Sequence, residues 1–488
     1  MEKPGTRPFF PSNRFAASFS PRWRVCEVIV SSVAIFAMIA ENPLCCLGLR
    51  TLHMTGSRPA PRYRPLDRNR CSHLSLDQLL PSDHEARAVW HLVQELDFSA
   101  FHARVKAVQG HPGKPPFRPD VLFALWLLAC LRGVTSSRAL RRHCVETLPF
   151  QWLCGDDAPD YHTLADFYSD HSPRLHDLFV SHVAALRAQG LIDLQRVTVD
   201  GTKVPGAAGE ETFHREATLQ CHLAKAEAHV AAWEQQRDCA QQLSVRQEAA
   251  QKRAARERQE RLRRAVDAVH QVQQQRAAAH RKEPAPEEAR ASETDPDVRR
   301  MKLPHGGFEL ADNVQTMVDL KNELIVTTTV TNQQSDNGLL RPLAEQVEQE
   351  QGSQPEKMLA DSGFIDAEDI DHLEEAGVQV IMPPKNEKKE LEAGKNPYAP
   401  KRRDTPRVAA WRARMGTTPA QAQYRQRSGP AERVHAWMEQ RRFQRFRLRG
   451  LLKVRVEALW QAFAHNVGRL LARAVSEAAA AGTVRAEA

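Results

Sequence analysis

Nine cysteines are scattered over 488 residues with no Cys-x-x-Cys pair, and no Cys/His cluster carries the spacing of a zinc site. That excludes a disulfide-stapled scaffold and a zinc-finger framework, and leaves free thiols in a reducing cytosol as the simplest state. Long apolar runs are also lacking. The nearest to one, residues 28–40, is bracketed by Glu27 and Glu41 and falls short of the roughly 20 residues that span a bilayer comfortably. Arg22 and Arg24 precede it, so it has the look of a signal-peptide core or a short anchor. Glycine and proline are absent from residues 211–281, which are rich in Ala, Gln, Glu and Arg. Nothing there breaks a helix, so the stretch reads as a long helix or a helical hairpin.

Positive charge is present and unevenly placed. The chain carries a net +8, yet in residues 401–455 sixteen Lys and Arg meet three acids, a local +13 that leaves −5 for the remainder. Trp411, Phe443 and Phe446 are interleaved with this run. A basic surface on a mildly acidic protein is the footprint of a polyanion partner, nucleic acid first. Such a chain has no evident use for export. Residues 1–55 are therefore expected to be a dispensable leader, with Met54 the expected start, and no membrane partner is expected.

Residues 82–190 read as helices. Ser82-Asp83 can cap a helix with Ala86, Val89, Val93 and Leu96 on one face. Residues 110–119 form a Pro/Gly-rich loop. Residues 121–131 are apolar all round and so expected to be buried. Gly133 stops that helix, and Ser136 or Ser137 starts another bearing Arg138, Arg141 and Arg142. Helix, glycine turn and basic helix resemble a helix-turn-helix, a pattern that many all-α packings share. Two more helices, at 163–171 and 175–186, end near Gly190.

Beyond that the pattern changes. Residues 196–199 form a short strand with Asp200-Gly201 at its end. The helical stretch follows, then a Pro/Glu-rich linker at 282–297. Residues 313–320 and 323–331 read as a strand pair about a tight turn at Lys321-Asn322. A helix at 339–349, a strand at 357–360 leading into Asp361, a helix at 367–376 and a strand at 378–382 follow. From Thr405 to the end the chain reads as helix. With the insert omitted, this is the order of an α/β ribonuclease-H-like fold. Expected regions are a helical N-terminal domain over 56–190, a catalytic domain over 191–471 with its insert at about 205–300, and a tail over 472–488.

Two aspartates, Asp200 and Asp361, end strands that should be neighbours in such a sheet, and Glu432 lies beside the basic region. Singly each has an ordinary reading, as a turn residue or a solvated helix residue. Together they supply hard oxygen ligands suited to Mg²⁺ or Mn²⁺. Two such ions about 3.5–4 Å apart can stabilise both the attacking and the leaving oxygen of a phosphoryl displacement.

The sequence resembles bacterial insertion-sequence transposases of the DDE type, in particular the branch with a helical N-terminal domain before a Val-x-x-Asp-Gly-Thr-Lys motif. The likeness runs through Phe117-Arg118-Pro119, Asp160-Tyr161-His162-Thr163, Val199-Asp200-Gly201-Thr202-Lys203 and Asp295-Pro296-Asp297. It continues through Thr331-Asn332 with Ser335-Asp336, Ala360-Asp361-Ser362-Gly363-Phe364, Tyr424-x-x-Arg427, Phe443-x-x-Phe446 and Ala464-His465-Asn466. The resemblance implies a catalytic and metal-holding triad of Asp200, Asp361 and Glu432 with two Mg²⁺ or Mn²⁺ ions. It implies strand cleavage and strand transfer on double-stranded DNA, at element ends and at a target. A homodimer or larger assembly on DNA follows, in a cytoplasmic, nucleoid-associated protein. Lys203, Tyr424 and Arg427 are expected near the DNA backbone, and Arg441, Arg442 and Arg445 in the basic surface. The third motif departs from the family pattern. Ala431, Arg433, His435 and Ala436 surround Glu432, and Glu439 stands where a cation is usual. Two other readings remain: a decayed or repurposed copy that binds DNA without cutting it, and a coiled-coil scaffold built on residues 211–281.

Overall fold

The computed structural model describes residues 74–103, 115–170, 173–235, 244–278 and 289–486. The expected leader with its apolar run, and half of the loop expected at 110–119, lie outside them. The described residues up to Ala472 belong to one compact unit.

The N-terminal helices follow their capping and apolar signals. The helix Leu76–Leu79 opens on a capping box between Ser75 and Gln78. In the helix Glu85–Glu95, Ala86, Val89 and Val93 are buried as their spacing requires, but the cap is His84, whose side chain accepts from the Ala86 N–H, rather than Ser82 or Asp83. Pro119–Leu131 buries ten of its thirteen residues. Gly133 ends it at φ +65°, where an added Cβ would stand 3.2 Å from the Arg441 carbonyl oxygen. Ser136 then caps Ser137–Glu146. Leu148–Cys154, Tyr161–Tyr168 and Arg174–Ala188 complete this region.

These helices do not keep a core to themselves. Phe123 packs against Trp460 and Phe463 of the last helix, Leu451–Ala486, with ring centroids 5.0 and 5.2 Å apart. Phe179 meets the same Phe463 at 5.0 Å, and Trp126 packs on Tyr168 at 4.2 Å. The indole N–H groups are satisfied too: Trp126 donates to the Leu164 carbonyl and Trp460 to that of Tyr168. Each such buried aromatic contributes about 2–3 kcal/mol of transfer free energy. One continuous apolar cluster therefore runs from Leu80 through the sheet to Val467.

The strands among the described residues are β1 (Arg196–Pro205), β2 (Phe213–Arg215), β3 (Arg290–Ser292), β4 (Arg299–Lys302), β5 (Phe308–Asp319), β6 (Ile325–Thr331), β7 (Lys357–Leu359) and β8 (Gln379–Ile381). β5, β1, β7 and β8 lie side by side in that order. β5 is antiparallel to β1, whereas β1, β7 and β8 run parallel. The other edge of β5 is shared by β4, over residues 308–311, and β6, over residues 313–318. Strand β1 is longer than expected. It continues through Asp200 to Pro205 because β5 pairs with it over that whole length.

The insert departs from a plain helical stretch. Residues 210–215 make a 3-10 turn and β2, which pairs with β3 where a linker was expected. Between them, Glu216–Gln235 and Val245–Ala278 form a helical hairpin. It is tied by Arg256–Glu234 and Arg263–Glu227 and by a small apolar cluster of Leu219, Ala226, Leu262, Ala265 and Val269.

The C-terminal third is not one helix. Pro406–Met415, Thr418–Tyr424 and Ser428–Gln440 are separate, and the chain breaks after Gln440 with Arg442 at φ +64°. Phe443 and Phe446 turn into the core at this break, and the Phe446 N–H donates to the Pro205 carbonyl at 2.8 Å. Asn466 closes the structure from the last helix. Its side chain accepts from the Ile325 N–H at 2.7 Å and donates to the Ile325 carbonyl at 2.9 Å, gripping the start of β6.

Candidate active site

The parallel pairing of β1 with β7 ends at Thr198 and Leu359. Asp200 and Asp361 each stand two residues further on, so the alternation of a strand sends both toward the same side of the sheet. Asp200 is still held in β1, opposite Thr316 of β5. Asp361 has left its strand and caps the turn Ser362–Phe364, one carboxylate oxygen accepting from the Gly363 N–H at 2.8 Å.

A cation answers both. Arg427, just before the helix Ser428–Gln440, donates to Asp200 at 2.9 Å and lies 3.8 Å from Asp361. His435, two turns into that helix, sets its Nε2 3.5 Å from the other oxygen of Asp200. The Asp200 side chain is 20% exposed, Arg427 13% and Asp361 44%. Burial alone would raise the pKa of Asp200; His435 and then Arg427 more than reverse it, so Asp200 is held below the usual carboxylate range.

Glu432 is exposed on the same helix. Among the described residues it belongs to no group of three His, Cys, Asp or Glu ligand atoms within 4.8 Å. The structure thus brings Asp200 and Asp361 to one guanidinium and leaves Glu432 at the surface of the helix that follows that arginine. His435 was seen in the sequence only as a neighbour of Glu432 and was given no role. Its signal was there: three residues after Glu432, it shares that residue's side of a helix.

A second polar knot sits next to Asp200. Asp336 accepts from Lys203 at 2.8 Å on both oxygens, from Asn313 at 2.7 Å and from Gln315 at 2.7 Å. Lys203 is thereby paired within the protein. Gly201 makes room for the knot: a Cβ there would come within 2.4 Å of the Gln315 amide and 2.7 Å of Asp336. Tyr424 is half-buried at the end of its helix, where burial raises its hydroxyl above the ordinary pKa.

The expected basic residues divide into engaged and open ones. Arg138 lies over the Tyr161 ring, and Arg141 donates to the carbonyls of Ala158 and Pro159. Arg441 stacks on Trp437 at 3.9 Å and donates to the Leu131 carbonyl. Arg445 pairs with Glu309 at 2.6 Å. Arg142 and Arg442 are exposed. Arg442 lines a groove of about 600 Å³ with Arg132, Arg447, His143 and the Gly133–Ser136 turn. The two basic stretches, far apart in sequence, meet there.

Two hard carboxylates on adjacent parallel strands, with positive charge already drawn between them, fit a divalent cation in its charge and donor preference. Two family models match: one described as Transposase DDE domain over residues 294–467, and one described as Transposase domain (DUF772) over residues 74–170. The chain belongs to the insertion-sequence DDE transposases. Searches of curated proteins and of solved structures returned no match. The first match starts beyond the helical insert, so Asp200 lies outside it while Asp361 and Glu432 lie inside.

Proposed function

We propose that this protein cleaves and rejoins DNA strands at the ends of an insertion sequence. Asp200, Asp361 and Glu432 are its catalytic carboxylates on a ribonuclease-H-like core. The observation that carries the reading is Arg427, seated between two carboxylates that stand at equivalent points of neighbouring parallel strands. Two close acids without a cation repel one another, and the depressed pKa of Asp200 keeps it ionised. Mg²⁺ or Mn²⁺, held by Asp200 and Asp361 with Glu432, would supply Lewis acidity at the phosphate and at the attacking oxygen.

The chain's own residues then have defined tasks. Asp200 and Asp361 concentrate negative charge where the scissile phosphate must sit. Arg427 is released from them when other positive charge arrives, and its planar guanidinium is free to take a phosphate oxygen. Glu432 joins the pair by a shift of the helix Ser428–Gln440, whose register places it beside His435. In the first step a water oxygen bonds to phosphorus and the P–O3′ bond breaks, leaving a 3′-OH and a 5′-phosphate. In the second, that 3′-OH bonds to a target phosphorus and displaces the target's own 3′ oxygen. DNA runs over the groove at Arg132, Arg442 and Arg447, with Arg142 beside it, and two or more copies assemble on the element ends in the cytoplasm. The direct test is strand cleavage of end-containing duplex DNA with Mg²⁺ or Mn²⁺. Cleavage by the parent chain and none by Asp200→Asn or Asp361→Asn is the expected result. Binding without any cleavage by the parent would instead mark a decayed copy.

A further inference from the structure

We propose that His214, His222 and Glu293 form a second metal site, for a borderline transition-metal ion of the Zn²⁺ type, at the root of the helical insert. One ligand atom from each lies within 4.8 Å of the others, and all three residues are half-buried. They come from separate elements brought together by the fold. His214 pairs with Ala291 across the β2–β3 ribbon, and Glu293 follows two residues later, on the same face by the alternation of a strand. The helix Glu216–Gln235 follows directly; its Leu219 shares a buried apolar cluster with Ala291, and His222 is three residues along the same side of the helix.

The geometry is that of a site rather than of a chance polar contact. The Nδ1 of His222 is 2.7 Å from a carboxylate oxygen of Glu293, and the two imidazole rings meet edge to face at 5.3 Å. The Glu293 side is framed. Its N–H donates to the Thr212 carbonyl at 2.9 Å, and Ser292 beside it bonds Thr212 at 2.7 Å and receives the N–H groups of Thr294 and Asp295. Two neutral imidazoles and one carboxylate favour zinc or a similar ion over Mg²⁺, which prefers an all-oxygen shell. In a tetrahedral shell with bonds of about 2.0–2.1 Å, neighbouring ligand atoms are roughly 3.3 Å apart, so on binding an ion His222 and Glu293, now 2.7 Å apart, would part slightly while the wider separations, within 4.8 Å, would close. Water would take the fourth position. An ion there links the ribbon, the first insert helix and the strand returning to the sheet, and so fixes how the insert leaves the core. This site shares no residue with the one at Asp200 and Asp361.

The experiment uses the full chain, stripped of metal and dialysed against Zn²⁺ or Co²⁺, with bound metal counted by elemental analysis and Co²⁺ coordination read from its visible spectrum. We expect one Zn²⁺ per chain and a low-coordinate Co²⁺ spectrum with imidazole ligation. We also expect a thermal midpoint raised by Zn²⁺ and not by equal Mg²⁺. His214→Ala and His222→Ala should each weaken Zn²⁺ binding more than about tenfold. The Asp200→Asn, Asp361→Asn double variant should keep it, which separates this site from the catalytic one. No bound Zn²⁺ in the parent chain, or a stoichiometry unchanged in the His214→Ala, His222→Ala double variant, overturns the proposal. Should the double variant fail to fold, the parent's Co²⁺ spectrum decides, and an all-oxygen six-coordinate spectrum overturns it equally.

Discussion

Arg427 and Asp200 form a 2.9 Å ion pair across 227 residues of sequence, joining the third motif of the chain to its first strand. Both side chains are largely shielded from water, at 13% and 20% exposure, so the pair is not one of the weak surface contacts. Its partner on the other side is Asp361.

Removing Arg427 should therefore leave two acids facing each other. We predict that Arg427→Gln lowers stability by about 1–3 kcal/mol in EDTA at neutral pH, the range for a shielded charged group that loses its partner. Added Mg²⁺ should restore much of the loss, because the ion replaces the missing positive charge. A deficit that is the same with and without Mg²⁺, read by thermal melting, would show that the pair is only a structural strut.

The catalytic prediction concerns Asp200 and Asp361 themselves. Asp200→Asn and Asp361→Asn should each reduce strand cleavage by at least about 10³-fold, the scale on which a metal-dependent phosphoryl transfer fails without its ligand. Affinity for end DNA should hold, since most of it comes from phosphate contacts elsewhere. Substantial cleavage by both variants in a gel assay would rule out this metal site.

Glu432 and Glu439 share the helix Ser428–Gln440 and lie nearly two turns apart, about 10 Å along its axis. Glu439 is exposed and sits 3.9 Å from His305, away from Asp200. Glu432→Ala should abolish cleavage, whereas Glu439→Lys should keep it and tighten DNA binding. The reverse pattern would move the third carboxylate to Glu439.

The salt dependence of DNA binding should single out Arg442. Arg441 and Arg445 already have partners inside the protein, so their replacement should act mostly on stability. Arg442→Gln alone should reduce the log–log salt slope by about 0.9, one phosphate's share on duplex DNA. A slope that moves only with Arg445→Gln would place the DNA elsewhere.

The pH prediction rests on Asp312, which burial, and then the charges of Asp295 and Asp297, raise to about 8. A carboxyl whose folded value lies above its unfolded one binds its proton more tightly in the native state. Its contribution is full below about pH 4 and is lost as pH rises toward 8. Asp312→Asn, which cannot ionise, should melt higher than the parent at pH 8 and no higher at pH 4. Equal melting differences at the two pH values would mean that Asp312 is not the group responsible.

Much of the core was legible in the sequence because its signals are local. Asp200 and Asp361 follow short β-branched or apolar runs, and the alternation of those runs with helices gave the strand order from β5 to β8. The strand that carries Asp200 was read too short, since its second half is held by pairing with a distant strand rather than by its own apolar pattern. The β2–β3 ribbon was missed for a related reason. Strands of three residues have no measurable period, and their partner lies beyond the whole helical hairpin. The same separation hid the convergence of His222 on Glu293, 71 residues apart. Lys203 was expected near the DNA backbone, and its pairing with Asp336, 133 residues away, arises only in three dimensions.

The grip of Asn466 on Ile325 has a consequence for synthesis. The first residue of β6 receives its side-chain partner only when a residue 141 positions later has been made. At about 5–20 residues per second, that wait is roughly 7–30 s on the ribosome. Phe463, three residues earlier in that helix, is also what the N-terminal helices pack against. The nascent chain therefore carries an unfilled strand start and uncovered aromatic rings until Phe463 and Asn466 have been made. A chain stopped before that point is left with these surfaces uncovered, a substrate for chaperones and proteases.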